Sequence, residues 1–557
     1  MFGYCINYFV DNLCDIAFKS NLVVYNSGDK FIGVQIEGAK MTNNYKRITS
    51  HDAGKISIIF QSILVGILAG GVVVLYRMVL SRAEELSFAI YDYVSMHKIS
   101  ILVLFIGLIL AGYAVAYLAS RNKMMGGSGI PQIKGILMGY FEQNWVSTLI
   151  CKFVGGSIAI LGGLSLGREG PSIQLGASIA EGVGKKFGKS RMDQKMLIAS
   201  GASAGLAAAF NAPLAGVIFA LEEIFKYFSP LILLSTMSAA VVADFISKNF
   251  FGITPIFDFE ITSLLSLEDY WIVIVIGVVL GILGALYNYV LLWTQKLYKR
   301  LPLSHDYMKM AIPFLISGVL GLTFPVVLGG GHRMVESLQP TTGLWMLIMM
   351  FVIKFLFSMV SFGSGAPGGI FFPLLILGAA VGAICSNVAT MVFGLDQALF
   401  YNILILAMAG YFTAIVRAPI TGIVLIMEMT GSLSHMLSLT IVSMTAYIVA
   451  DLLKSPPIYD ALLDNMATEH KIVDDEEHEQ KIIMEIIIRH DSIYENCLVK
   501  EIKWPEKCLL VSIKRGEKEF IPRGDTRLKV GDYVFALTDL NSEWQVREAL
   551  ETMNGCE

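Results

Sequence analysis

The stretch "SLGREGPSIQLGA" (Ser165–Ala177) sets Arg168 and Glu169 side by side in apolar surroundings. The fifteen residues before Arg168 (Phe153–Gly167) carry no charge, and neither do the eleven after Glu169. A charge at the centre of a bilayer costs roughly 2.5–3.5 kcal/mol even on the lenient insertion scale, so an isolated pair there marks function. Gly170 and Pro171 fix the local geometry. Proline is tolerated in the first turn of a helix, and glycine permits the tight turn before it. The stretch therefore predicts a helix amino terminus inside an apolar layer. The unpaired N–H groups and the positive end of the dipole make such a terminus an anion site.

The whole chain agrees with an apolar setting. Of 557 residues, 55% are hydrophobic and 16% are charged. Soluble domains carry nearer a quarter charged residues, so this composition predicts an α-helical polytopic membrane protein in contact with a lipid bilayer. The net charge of −4 argues against nucleic acid as a partner. Seven cysteines lack CxxC and CxxH spacings, which excludes a disulfide framework or zinc site and predicts reduced, buried thiols. No metal and no cofactor are expected.

Segments such as Ile56–Leu75, Ile101–Leu118, Trp271–Leu292 and Leu344–Val360 approach the roughly 20 residues that cross a bilayer as a helix. Others are shorter or glycine-broken: Ile150–Leu166, Pro171–Ala180, Pro213–Leu221 and Pro373–Ile384. Broken helices at membrane depth survive only where they are buried or line a cavity, which points to transport. Residues 1–50 read as a cytosolic leader. Its first forty lack the basic start of a signal peptide and are expected to be dispensable. Residues 51–464 read as the membrane domain, 465–480 as a linker and 481–557 as a separate tail.

The membrane domain carries an internal repeat. "NAPLAGVIFALEE" (Asn211–Glu223) aligns with "RAPITGIVLIMEM" (Arg417–Met429) at an offset of 206, matching Ala-Pro, Gly216 with Gly422, and Glu222 with Glu428. Upstream of each lies a glycine-rich helix start, "GREGPSIQLGA" in the first half and "GAPGGIFFPLLILGAA" (Gly365–Ala380) in the second. Small residues that merely ease helix packing do not explain the repeated Pro and Glu. A duplicated transporter with its site between the halves does.

Four segments share the helix-start chemistry: "GGSGIPQ" (Gly126–Gln132), "GREGP" (Gly167–Pro171), "GGIFFP" (Gly368–Pro373) and "PPIYDALL" (Pro456–Leu463). Converging termini would hold an anion without a full cationic contact, weakly enough to release it. In that order, with a tyrosine after the last apolar segment, "GSGIP", "GREGP" and "GGIFFP" resemble the CLC family of chloride channels and chloride/proton antiporters. The resemblance covers roughly Lys55 to Leu463. It implies the CLC fold of two inverted repeats with broken helices, and a homodimer with one anion pathway per subunit.

It further implies that Ser128 and the Tyr459 hydroxyl donate to a central chloride, completed by the N–H groups of Ile370 and Phe371. Glu169 would be the gating glutamate, its carboxylate mimicking chloride until protonated. Glu223 would be the internal proton glutamate, facing water at its helix end, and Glu222 a structural residue. Because passive channels of the family usually lack that acid, Glu223 favours a chloride/proton antiporter over a passive chloride channel. Two flanking cations have simpler readings: Arg168 binding backbone carbonyls of nearby loops, and Lys152 either helping the anion or forming a buried ion pair.

An intramembrane serine protease is the competing class, with Ser364 of "FGSGAPGG" as nucleophile. Such a nucleophile needs a positioned base, and His332 and His435 both lie in loop-like sequence, so an enzyme is not expected.

The tail reads as β-rich: strands at "KIIMEIIIRH" and "KCLLVSIKR", a hairpin at Arg515-Gly516, a turn at Gly524-Asp525, a strand from Asp532 and a closing helix over Asn541–Met553. With "IPRGDTRLKVGD" (Ile521–Asp532) it resembles a TrkA-C (RCK C-terminal) domain, a small α+β cytosolic unit. That resemblance implies dimerisation and a regulatory ligand between subunits, a cyclic dinucleotide such as cyclic di-AMP. Ile488, Arg489, His490 and Tyr494 are its candidate contacts. The alternative is a passive dimer clamp.

Overall fold

The structure is a computed structural model. It describes residues 43–226, 228–257, 259, 261, 265–302, 306–469, 481–488, 492–505, 508–516, 518–539, 546 and 550. The first forty residues of the leader lie outside it, as do Arg489, His490 and most of the expected closing helix. Residues Ile58–Glu557 form one compact unit, which contains the buried core and the tail.

Among the described residues, seven helices are long and apolar enough to cross a membrane: Ile56–Met96, Ser100–Arg121, Pro230–Phe251, Leu267–Arg300, Leu344–Gly363, Phe371–Phe393 and Gln397–Val416. The segment from Pro373, expected to be short, thus belongs to a full-length helix. It is also the second most enclosed span, after Gln397–Val416, and their burial explains why both are apolar on every side. Shorter helices stand among these spans, including Ile130–Met138, which is mostly buried, and Trp145–Leu161 and Pro213–Phe219, each buried on one side. Helix Glu169–Lys186 is buried from Glu169 through Gly184 and packs against Arg191–Phe210. Glycines make that approach possible: Gly176 faces the Gly201 carbonyl, Gly205 faces that of Ser172, and a Cβ on either would collide with it.

The repeat extends beyond the motif that reveals it in the sequence. Upstream the offset is 202. Left-handed glycines recur at Gly127 and Gly329 (both φ +60°), Gly129 and Gly331 (+97° and +108°), and Gly163 and Gly365 (+79° and +80°). Lys152 Nζ donates to the carbonyls of Met125 (2.9 Å) and Gly127 (2.6 Å). Lys354 Nζ, 202 residues later, donates to those of Val327 (2.9 Å) and Gly329 (2.7 Å). The equivalent glycines Gly167 and Gly369 form an antiparallel bridge and exchange two hydrogen bonds, each 2.7 Å. An antiparallel pair between equivalent residues is what an inverted duplication produces at its axis.

The tail is a four-stranded antiparallel sheet in the order β1-β4-β2-β3, with β1 Lys481–Ile487, β2 Cys508–Arg515, β3 Lys518–Phe520 and β4 Tyr533–Asp539. The hairpin turns at Gly516, whose φ of +60° suits glycine, and a further turn falls at Gly524-Asp525, both as expected. Ile488 and Tyr494 are buried in the tail core with Met484, Ile513 and Val534, and Tyr494 stacks on Trp504. These two candidate ligand contacts are therefore packing residues within the subunit. The described cysteines Cys151, Cys385, Cys497 and Cys508 are free thiols, half-buried where full burial was expected.

Candidate anion and proton site

All four glycine- and proline-rich segments begin helices. Ile130–Met138 follows left-handed Gly129, with Pro131 in its first turn. Glu169–Lys186 and Phe371–Phe393 start at their motifs, and Ile458–Glu469 follows Pro456 and Pro457. The first three are stitched together by main-chain hydrogen bonds. Gly127 N–H donates to Gly365 (3.2 Å), Gly368 N–H donates to Gly127 (3.0 Å), and Gly167 and Gly369 pair as above. The fit leaves no room for side chains. A Cβ on Gly170 would lie 2.5 Å from Ser128 Oγ and 3.2 Å from the Gly369 Cα.

The candidate residues gather at this junction. Ser128 is 1% exposed and Tyr459 fully buried. Their hydroxyls neighbour one another, and neither completes a hydrogen bond of normal geometry. Such buried polar atoms ask for a partner. Ile370 and Phe371 are buried, and their N–H groups fall where a helix has no acceptor of its own. Tyr459 is held by packing, edge-on to Phe219, which in turn meets Phe371 edge-on. Asn288 ties down the approach to it, donating to Ser455 Oγ (3.1 Å) and the Pro456 carbonyl (3.0 Å).

Glu169 is fully buried, and neither carboxylate oxygen has a hydrogen bond of normal geometry. Arg168 Nε lies 3.7 Å from Oε1. That corrects the expectation for Arg168: among the described residues it binds no backbone carbonyl, and it stands beside the acid on an outlet. A cavity of about 20 Å³, enough for a single water, is lined by Arg168, Glu169, Glu84, Gly330, His332 and Phe372. A second, of about 730 Å³, reaches Ser128 past Lys123, Gln132, Lys299 and Lys309. The two share no lining residue: Glu169 lines the first and Ser128 the second. Among the described residues, Lys152 makes no ion pair. It anchors the loop entering Ser128 through the two carbonyls already described.

Glu223 departs from expectation most. It lies in a π turn, Ala220–Phe225, of the kind often found at functional sites. It is 3% exposed and does not face water. Lys134, itself fully buried, donates to Glu223 Oε1 at 2.6 Å and to Asp460 Oδ1. Lys226 meets the other Asp460 oxygen at 2.6 Å. This network was missed from sequence. Its signals were a lone lysine in "IPQIKGILM" and an acid directly after Tyr459. Glu222 points elsewhere and accepts from the N–H groups of Ile420 (3.2 Å) and Thr421 (2.7 Å), capping the repeat helix Pro419–Thr430.

Buried helix termini, buried hydroxyls without partners and a buried acid beside a single arginine fit a multi-pass membrane transport protein. Comparison with known proteins places it more closely. The voltage gated chloride channel family matches residues 107–451, and the TrkA-C domain family matches residues 483–550. The H(+)/Cl(-) exchange transporter ClcA of Salmonella typhi is 30% identical over 443 residues, covering 78% of this chain and 93% of that one. A slow cyanobacterial Cl-/H+ antiporter of known structure is 30% identical with a TM-score of 0.71, covering 74% of this chain and 99% of that one. A eukaryotic CLC transporter, 22% identical with a TM-score of 0.63 and 74% coverage of each chain, shares the fold. The chain belongs to the voltage gated chloride channel (CLC) family and carries a TrkA-C domain over residues 483–550.

Proposed function

We propose that the protein exchanges chloride for protons across the membrane. The observation that carries this reading is Glu169: a fully buried carboxylate with no hydrogen bond of normal geometry among the described residues, at the junction of three helix termini. Ionised, it occupies an anion seat and blocks the path. Protonated, it is neutral, and chloride takes the seat held by the Ser128 and Tyr459 hydroxyls and the N–H groups of Ile370 and Phe371. One proton thus enters Glu169 for each opening and leaves when the carboxylate returns. Burial disfavours the charged acid, while helix N–H groups and Arg168 favour it. These opposed effects let an arriving chloride or proton tip the balance.

Glu223 supplies the second proton station, reached through its ion network and not directly from water. The exchangers among the relatives support the same reading. Every residue of this site comes from one chain, so a homodimer has two complete pathways. The tail acts as a regulatory domain outside the membrane. A cyclic dinucleotide bound there would rely on Arg489 and His490, since Ile488 and Tyr494 are taken up in packing.

Glu169→Gln keeps the shape of the protonated gate. Its chloride flux in liposomes is expected to be independent of pH and to move no protons. Normal proton movement through this variant would refute the gating role.

A further inference from the structure

The network around Glu223 links the two hydroxyls of the anion site. Lys134 lies on Ile130–Met138, whose entering loop carries Ser128, and Asp460 follows Tyr459 on Ile458–Glu469. These helices pack directly. A Cβ on Gly135, beside Lys134, would lie 3.1 Å from Leu463 Cδ1. The network also leads outward. Side-chain exposure is 4% for Glu223, 0% for Lys134, 27% for Asp460 and 44% for Lys226.

Unlike Lys152 and Lys354, which rest on carbonyls, buried Lys134 bonds only carboxylates among the described residues, and breaking such a buried ion pair is strongly destabilising. Lys134 has two partners, on different helices. We propose that Lys134 is a positioning residue that reports the protonation of Glu223 to the helix bearing Tyr459, passing from a seat shared by Glu223 and Asp460 to one held by Asp460 alone. This rests on the antiport reading.

The step balances simply. Glu223 takes one proton from a hydronium that enters beside the partly exposed Asp460 and Lys226, leaving water behind, and later gives the proton up toward Glu169. Lys134 keeps its three protons throughout. With Glu223 neutral, its oxygen no longer makes a charge-assisted bond, and the ammonium is drawn to Asp460. The local charge rises by one beside the Tyr459 hydroxyl, which favours an anion there. Proton arrival at Glu223 and chloride occupancy at Tyr459 thereby support each other. The charged and titratable groups that bear on Glu223 are Lys134, Asp460, Lys226 and the Tyr459 phenol, with Asp464 interacting with the same lysines.

The test compares full-length wild type, Lys134→Met, Lys134→Arg and Asp460→Asn in liposomes, reading the proton-to-chloride ratio across a pH series. Removing the ammonium makes the neutral acid easier to form, so Lys134→Met is expected to lose half its coupling about one pH unit or more above wild type. Removing the competing carboxylate commits Lys134 to Glu223, so Asp460→Asn is expected to shift the other way. Lys134→Arg should stay with wild type. A merely structural lysine would lower rates without these opposite shifts. If Lys134→Met does not fold, the direction of the Asp460→Asn shift decides. Unshifted coupling in the variants of a coupled wild type overturns the proposal and leaves antiport standing. An uncoupled wild type overturns both.

Discussion

Glu222 and Glu428, equivalent residues of the two repeats, cap each other's helices. Glu222 accepts from Ile420 and Thr421 at the start of Pro419–Thr430. Glu428 accepts from the N–H groups of Leu214 (3.1 Å) and Ala215 (2.8 Å) at the start of Pro213–Phe219. Each carboxylate meets the positive end of a helix from the other half, so the duplication is closed by reciprocal charge-assisted bonds.

Loss of either cap should therefore cost stability. Glu222→Ala and Glu428→Ala are each expected to lower stability by about 1–2 kcal/mol. Thermal unfolding in detergent would show this as similar drops in midpoint. A drop confined to one of the two variants would contradict the exchanged caps.

The buried lysines of the two halves should differ in consequence. Lys152→Met and Lys354→Met each remove two bonds from an ammonium to carbonyls, so similar losses of stability, about 3 kcal/mol or more, are expected. Of the two lysines, Lys152 is the one that holds the loop of Ser128. Chloride titration by calorimetry should show weaker binding for Lys152→Met and near-normal binding for folded Lys354→Met.

Gly170 tests the junction itself. A Cβ there would lie 2.6 Å from the Ser128 carbonyl as well as against its hydroxyl. Gly170→Ala is expected to reduce chloride affinity at least about tenfold, roughly 1.4 kcal/mol. Ser128→Ala should instead leave folding intact and reduce the preference for chloride over nitrate, measured as relative flux.

In the tail, Arg515 makes a bidentate pair with fully buried Asp532, both bonds 2.7 Å, and Asp532 also accepts from Lys529 N–H. Breaking a buried pair costs about 3 kcal/mol or more, and the low end applies because Arg515 is 36% exposed. Hydrogen exchange of full-length Asp532→Ala should show faster exchange in β2 and β4, with the membrane helices unchanged.

Much of this was legible in the sequence because glycine and proline report backbone shape. The four motifs placed the helix starts, and "NAPLAGVIFALEE" with "RAPITGIVLIMEM" exposed the repeat. The upstream offset was hidden because the duplication there keeps backbone shape and not side chains. Glu169 faces Phe371 across it, and Ser128 faces Gly330. The ion network was hidden for another reason. Lys134 and Asp460 lie 326 residues apart, and nothing local in either segment indicates the other. Without that pairing Glu223 reads as a helix-end acid in water, although it is enclosed.

The central claim is coupling. Wild-type protein in liposomes loaded with chloride, diluted into low chloride with no proton gradient, should drive protons inward as chloride leaves. The flow should stop when the proton gradient balances the chloride gradient. Chloride efflux with no accompanying proton movement would contradict the account and make the protein a passive channel.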